Sequence, residues 1–421
     1  MAGETACAIL AGIDRLVPDL EEIYRDLHTH PELSMRETRT AAEVARRLAD
    51  AGLEVTTGVG GTGVVGVLRG DEGPVVLLRA DMDALPVAER TGLPYASEAV
   101  AADPGGRQVP VMHACGHDMH MACLLGAVTL LARHRDRWRG TLVAVFQPAE
   151  ETAAGAQAMI DDGMLDRFPR PDVVLGQHVG PRPVGALDIR AGVAMAAADS
   201  LRIRLIGRGS HGSQPESSID PVVMAAAAVL RLQTIVSREV APKDRAVVTV
   251  GSIEAGTKEN IIPGEAELKV NVRTFEPTVR SRVLAAIERV VRAEAEASGA
   301  IRPPEFSTIH SFPLTYNDPE AAARLSVAFG DVFGHDRVHE LEPKAGSEDF
   351  GRFGTEAGAP SVFWFFGGGD PDAYAAAQAA GRLAEDVPTN HSPYFAPLIQ
   401  PTLREGVRAL VVAACAWLGV R

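Results

Sequence analysis

Cysteine is scarce. Cys7, Cys115, Cys123 and Cys415 are the only four in 421 residues, too few and too scattered for a disulfide framework. Lysine is equally scarce, at four residues (Lys243, Lys258, Lys269, Lys344), so the basic charge is nearly all arginine. Acidic residues outnumber basic ones 55 to 41, and the net charge of −14 argues against nucleic acid or an anionic membrane as partner. No basic segment precedes an apolar one at the N-terminus, so residues 1–20 do not read as a secretory signal. The apolar run from Ala409 to Val420 is far short of a membrane span and reads as a buried terminal helix. These absences leave an ordinary globular composition, 46% hydrophobic and 23% charged. They fit a reducing cytoplasm, where a thiolate persists. The length calls for two domains or three.

What is present concentrates in one stretch. His113-Ala114-Cys115-Gly116-His117-Asp118-Met119-His120 packs three histidines, a cysteine and an aspartate into eight residues. Cys115 and His117 are two apart, which in irregular or extended backbone aims both side chains the same way. A thiolate and an imidazole aimed at one point suit a borderline-soft divalent metal. Taken alone, the pair reads more readily as a small buried cysteine beside helix-start histidines, and the rest of the chain reverses that order.

Residues 8–27 and 37–53 carry apolar residues at helical spacing and predict two amphipathic helices. His28 and His30, in the turn before Pro31, are either groups behind a site or caps. Gly58-Val59-Gly60-Gly61-Thr62-Gly63 matches a dinucleotide-binding pattern. That pattern needs a helix opening at its end. Here Val64 to Arg69 follows, a strand, so the glycines read as a hairpin loop.

Three short apolar strands then end in ligand-type residues. Residues 74–80 lead to Asp81-Met82-Asp83, residues 142–146 to Glu150-Glu151, and residues 173–175 to Gln177-His178. Open α/β sheets place ligands at such strand ends. Adjacent carboxylates repel unless a cation or proton relieves them, and neighbouring positions point differently, suiting one ligand and one base. Three such endings separated by helices imply one shared site.

Near Ser200 the texture changes. Alternating strands at 201–205, 246–253 and 266–274 and helices at 220–236 and 278–298 make a compact α+β insert. His211, Asn260 and Arg273 are its prominent polar groups. After Thr308 the first texture returns, with an apolar strand at 362–366 and Asn390-His391-Ser392-Pro393 in a loop.

These segments, in order and over nearly the full length, resemble the M20 class of dinuclear metallopeptidases and aminoacylases, nearest its amidohydrolases of hippurate, indole-acetyl-amino acids and other N-acyl amino acids. The His113–His120 cluster with Phe146–Glu151 is the most specific match. The resemblance implies an α/β catalytic domain with a mixed, mainly parallel sheet, residues 1–197 and 309–421, interrupted by a ferredoxin-like lid, residues 198–308. It implies two divalent metals (Zn, Mn, Co or Ni) on Cys115, His117, Glu151, His178 and His391. It makes Glu150 the general base and Asp81 the acidic support behind the ligands. His211 would stabilise the oxyanion, Asn260 and Arg273 would hold the substrate carboxylate, and the lid would form a homodimer. One position departs: many members carry Pro-His where this chain has Pro215-Glu216, and a glutamate there repels a carboxylate.

The expected reaction is hydrolysis of an N-acyl amino acid by metal-activated water, with Glu150 passing the proton to the leaving nitrogen. A carboxypeptidase or dipeptidase would use the same machinery. A Cys115-nucleophile hydrolase and a non-catalytic binding protein are the readings from other classes. Metal identity, the acyl group and the bridging ligand are not legible in the chain.

Overall fold

A computed structural model describes residues 2–420. The chain divides into two compact units: Met1–Ala194, Tyr316–Glu342 and Asp349–Arg421 form one, and Met195–Thr315 with Pro343–Glu348 the other.

The first unit is built on eight strands: β1 (Glu54–Val59), β2 (Gly63–Arg69), β3 (Val75–Asp81), β4 (Thr141–Gln147), β5 (Val173–Pro183), β6 (Leu187–Ile189), β7 (Val338–Glu340) and β8 (Ser361–Gly369). Their order is β1-β2-β4-β3-β5-β8-β6-β7. The central four, β4, β3, β5 and β8, run parallel. β1 and β2 join antiparallel at one side, and at the other β6 pairs antiparallel with β8 and parallel with β7. The sheet is therefore mixed and mainly parallel, as expected. The reason lies in the strands: Leu142–Phe146 and Val362–Phe366 are apolar at every position and buried at every position, as a strand covered on both faces requires. The helix His117–Arg133 is apolar nearly all round, with Met119, Leu124, Val128 and Leu131 in the core, and such a helix belongs inside.

Three details differ from the sequence reading. The helix expected over 8–27 is two helices, Ala2–Leu10 and Val17–Thr29; Pro18 sits in the first turn of the second, where its missing N–H costs nothing. β5 does not stop at Leu175 but continues through His178, because β8 stays beside it with Phe365 opposite His178. The N-terminal half of the terminal helix, Ile399–Trp417, begins ten residues before the apolar run. The glycine segment is the turn between β1 and β2, with Gly58, Gly60 and Gly61 at positive φ. A Cβ on Gly60 would lie 2.4 Å from the Met159 backbone nitrogen, so this glycine serves close packing and no phosphate.

In the second unit, strands Ala197–Ile206, Ala246–Ala255, Glu265–Thr274 and Glu305–Phe312 form an antiparallel sheet in which the first lies between the third and fourth. Helices Pro221–Arg238 and Pro277–Ala297 pack on it. This βαββαβ arrangement is ferredoxin-like. Along Glu265–Thr274, Ala266, Leu268, Val270, Val272 and Thr274 are buried and the alternate residues are not, the signature of a sheet covered on one face. The helix Pro221–Arg238 is long and apolar enough to cross a membrane. Yet its Met224, Ala225, Ala228, Leu232 and Ile235 lie in this unit's own core, and Asp220 caps it, accepting from the Val222 N–H at 2.8 Å.

Candidate metal centre

The helix His117–Arg133 starts abruptly. Gly116 precedes it at φ 85°, and a Cβ there would lie 2.5 Å from Val179 Cγ1. This glycine lets the chain turn from irregular backbone at Cys115 directly into helix at His117. Around the turn, five of the residues singled out in the sequence converge. Cys115 Sγ is 3.4 Å from His178 Nε2 and 3.2 Å from His391 Nε2. Glu151 Oε1 is 3.4 Å from His391 Nε2 and 3.9 Å from His117 Nε2. They fall into two trios, Cys115–His117–His178 and Cys115–Glu151–His391, each with ligand atoms within 4.8 Å of one another. Donors bound to one tetrahedral ion at ~2.0–2.3 Å stand roughly 3.3–3.8 Å apart, close to these separations. Cys115 is common to both trios.

Two observations test whether these residues fit a cation. His117 Nε2 and Glu151 Oε1 are buried with no hydrogen-bond partner among the described residues, a costly state for a lone pair and a carboxylate oxygen. The rings are also set for coordination. His117 Nδ1–H donates to the Asp83 carbonyl at 2.7 Å, and His178 Nδ1–H donates to the Val179 carbonyl at 2.7 Å. Each bond leaves the Nε2 lone pair facing the cluster. Thiolate, imidazole and carboxylate together suit a divalent transition metal.

The electrostatics make the same demand. Burial first, then the charges of Glu151 and Glu150, pushes the Cys115 thiol well above its usual range. Burial alone would lower His117, but the charges of Asp81, Asp83 and Glu151 outweigh it and raise the ring to about 10. Burial holds His178 well below the usual histidine range. Without a cation His117 and Cys115 therefore keep their protons, which a bound metal would replace, whereas His178 favours the neutral ring a metal ligand needs.

Asp83, which the sequence offered only together with Asp81 as a ligand-type residue at a strand end, organises this pocket. Besides its carbonyl on His117, its carboxylate accepts the Glu150 N–H at 3.0 Å on Oδ1, and the Glu151 N–H at 3.1 Å and the Ser34 hydroxyl at 2.6 Å on Oδ2. Glu37 Oε1 accepts the neighbouring Ala149 N–H at 2.9 Å, where Ala149 has a φ of 49°. The signal was available: Asp81 and Asp83 are two apart, so an extended chain presents both on one side.

Asp81 stands behind the ligands at one remove. It forms no hydrogen bond to a ligand histidine; its nearest approach is 3.6 Å to His117 Nε2. Instead Oδ1 accepts from His120 Nδ1–H at 2.6 Å, and Oδ2 accepts from Arg79 at 2.6 Å. His120 Nε2 accepts the Val179 N–H at 2.8 Å, and its ring stands edge-on to His178 with centroids 4.5 Å apart. Asp81 thus acts through His120, which braces His178. The buried Arg79 also donates to Gln147 at 2.8 Å, and Asp349 accepts from Gln147 at 2.7 Å. Sequence reasoning passed over all three because their partners are far apart in the chain. His28 is buried between Asp118 (2.6 Å) and Glu89 (3.0 Å); these hydrogen bonds outweigh burial and raise it to about 10.

His211, Asn260 and Arg273 belong to the second unit. His211 is exposed on a two-stranded ribbon opposite Ile261, and the Gly212 N–H donates to the Asn260 carbonyl at 2.8 Å, so His211 and Asn260 are neighbours. Arg273 lies on Glu265–Thr274, where its Nε donates to Asn271 at 2.9 Å and its Nη1 to Ser347 at 2.9 Å. Glu216 is exposed on the short turn Pro215–Ser217.

Residues 77–389 match the model of peptidase family M20/M25/M40. The chain is 36% identical to an N-acetylcysteine deacetylase of Bacillus subtilis over 384 residues, 89% of this chain and 94% of that protein. It is 39% identical to a hippurate hydrolase of Campylobacter jejuni, covering 80% of this chain and 85% of that protein. Among solved structures, the YXEP protein of Bacillus subtilis, a dinuclear metal binding peptidase, superposes with a TM-score of 0.74 at 30% identity, over 96% of this chain and 98% of that one.

Proposed function

The chain belongs to peptidase family M20/M25/M40, and from that premise we propose that it hydrolyses the amide bond of N-acyl amino acids with two divalent metal ions. The observation that carries this reading is the convergence of Cys115, His117, His178, Glu151 and His391, in two trios sharing one sulfur. In this proposal those five residues hold the ions. When bound, such ions lower the pKa of water and polarise an amide carbonyl.

The rest is done by the chain's own side chains. Glu150 is buried, with Oε2 4.0 Å from His117 Nε2, and lies within ligand distance of His117 and Glu151; in this proposal it serves as base rather than ligand. It takes the proton from attacking water and delivers it to the leaving nitrogen. Asp83 fixes Glu150 and Glu151 by their backbone amides, so the base and the ligand beside it keep their divergent directions. His211 stabilises the oxyanion, and Asn260 and Arg273 take the substrate carboxylate, the guanidinium fork pairing with both oxygens. The named substrates of the relatives, N-acetylcysteine and hippurate, are both N-acyl amino acids, which supports this class over free dipeptides. A homodimer through the second unit is part of the proposal: Val222, Val223 and Leu230 are exposed on one helix, and Val247 and Ile253 on the edge strand Ala246–Ala255. A reducing compartment such as the cytoplasm suits Cys115 as a free thiolate.

The test is amine release from a panel of N-acyl amino acids and dipeptides, with metal-replete protein and a chelated control. Metal-dependent release from acyl amino acids supports the reading. Release only from dipeptides transfers it to the peptidase class, and full activity in chelator overturns it.

A further inference from the structure

The sheet of the second unit has one face under its helices and one open. Ala266, Leu268, Val270 and Val272 belong to the covered face and this unit's core; Glu265, Glu267, Lys269, Asn271 and Arg273 alternate with them on the open one. Other cations on that face are paired with acids: Lys269 with Glu254 and Glu267, Arg202 with Glu267, and Arg204 with Glu265 and Glu305. Arg273 is half-buried and has no ion-pair partner among the described residues. Its hydrogen bonds go to neutral acceptors: Asn271 Oδ1 at 2.9 Å, Ser347 Oγ at 2.9 Å and the Ala345 carbonyl at 3.1 Å. Burial, with no acid to offset it, lowers Arg273 from the usual arginine value. A guanidinium drawn from water without a carboxylate beside it is prepared for an anion.

Behind Arg273 runs a directed chain of hydrogen bonds. Because Asn271 Oδ1 accepts from Arg273, its Nδ2 is free to donate to Ser200 Oγ, at 2.9 Å. Ser200, having accepted there, has its own hydrogen for His310 Nε2 at 2.8 Å. Burial first, then the charge of Arg273, holds His310 below the usual histidine range, so near pH 7 the ring is neutral and Nε2 accepts. The backbone is bent to make this row. Ser200 pairs with Asn271 on one side and with His310 on the other, while its neighbour Leu201 pairs with Thr308. Ile309 is therefore an extra residue, a β-bulge. In an unbroken ladder Ser200 would face Ile309, and His310 would lie on the helix side.

We infer that His310, Ser200 and Asn271 are positioning residues for Arg273: they fix its guanidinium for the substrate carboxylate and leave its charge uncompensated until that carboxylate arrives. The inference rests on the amidohydrolase reading above, in which Arg273 takes the carboxylate, and extends it to three residues that act through Arg273. An Asn271 amide released by Ser200 can turn its NH2 towards the guanidinium, donor against donor, and the orientation is lost.

The test compares acyl release from an N-acyl amino acid and from its amide, which lacks the carboxylate charge, on metal-replete wild type and variants. Asn271→Asp keeps the side chain's shape but gives Arg273 a carboxylate from the chain itself. KM for the acid is expected to rise about 10–100-fold, with kcat within about twofold. Ser200→Ala and His310→Leu should raise KM about 2–10-fold, and His310→Gln, which again offers the Ser200 hydroxyl an acceptor, should return it towards wild type. The amide substrate is expected to show none of these changes. In an Arg273→Gln background, Asn271→Asp should add nothing. Equal losses on acid and amide, an unchanged KM in Asn271→Asp, or losses that add to that of Arg273→Gln overturn the positioning role and leave the amidohydrolase reading standing. Absence of metal-dependent hydrolysis of any acyl amino acid by wild type overturns both.

Discussion

At the scale of single residues, the site separates groups that would perform chemistry from groups that hold them. Glu150→Ala is expected to reduce kcat by about 10²–10⁴ while the metal content of the purified protein is unchanged; retained turnover would remove Glu150 from the role of base. Asp83→Ala should act differently. Losing its carboxylate releases the amides of Glu150 and Glu151, and metal affinity is expected to fall about 10–100-fold in a competition titration against a chelating dye. Glu37 makes a pH prediction. Burial first, then the charge of Asp83, raises its carboxyl from 4.5 to about 6. The folded state therefore favours the protonated acid. The cost of ionising Glu37 is absent below about 4.5, complete above about 6, and stability is lost as pH rises through that window. A shift of this size is about 2 kcal/mol. Glu37→Gln should remove that slope, seen as a smaller change in urea midpoint between pH 4.5 and 7 than in wild type.

Among elements, the junction at Gly116 is the most exposed to disruption. Its φ of 85° and the 2.5 Å approach of Val179 Cγ1 leave no room for a side chain between two ligands. Gly116→Ala is expected to cost about 1–3 kcal/mol through strain and to displace Cys115 from His178. A lowered thermal midpoint together with lost metal binding would bear this out; a variant that binds metal as wild type does would show that the junction tolerates a Cβ. The strands were readable because a run such as Leu142–Phe146 has only one comfortable place, inside a covered sheet. The ends were less readable. β5 runs on through His178 because β8 continues beside it, and that pairing joins residues nearly two hundred positions apart. The break before Val17 was missed although Pro18 marked it.

For the molecule as a whole, four carboxylates, Asp81, Asp83, Glu150 and Glu151, gather at one place, and the native state should depend on the charge that offsets them. Removing metal with a chelator is expected to lower the thermal midpoint, and restoring it to recover stability by about 4 kcal/mol at a thousandfold excess over Kd. A midpoint indifferent to chelator would mean that the cluster is stable without a cation. The proposed dimer is tested by Leu230→Glu, which places a charge on an exposed apolar helix face; sedimentation should show dimer for wild type and monomer for the variant.

Much of the centre was legible in the chain. Cys115 and His117 announce themselves by spacing, Glu150 and Glu151 by adjacency beyond an apolar strand, and His178 and His391 by places with no competing role, because ligand chemistry needs particular residue types and these are few. The supporting groups were not legible. Asp83 holds His117 and both glutamates, which follow it by more than thirty residues; His120 joins Asp81 to Val179; Arg79 and Asp349 meet Gln147 from strands and loops far apart in sequence. Local composition determined the strands, the inserted α+β unit and the ligand types. Only the folded chain decided which carboxylate touches which ring, because a hydrogen bond depends on atoms within about 3 Å, and that distance is set by packing between elements rather than by position along the sequence.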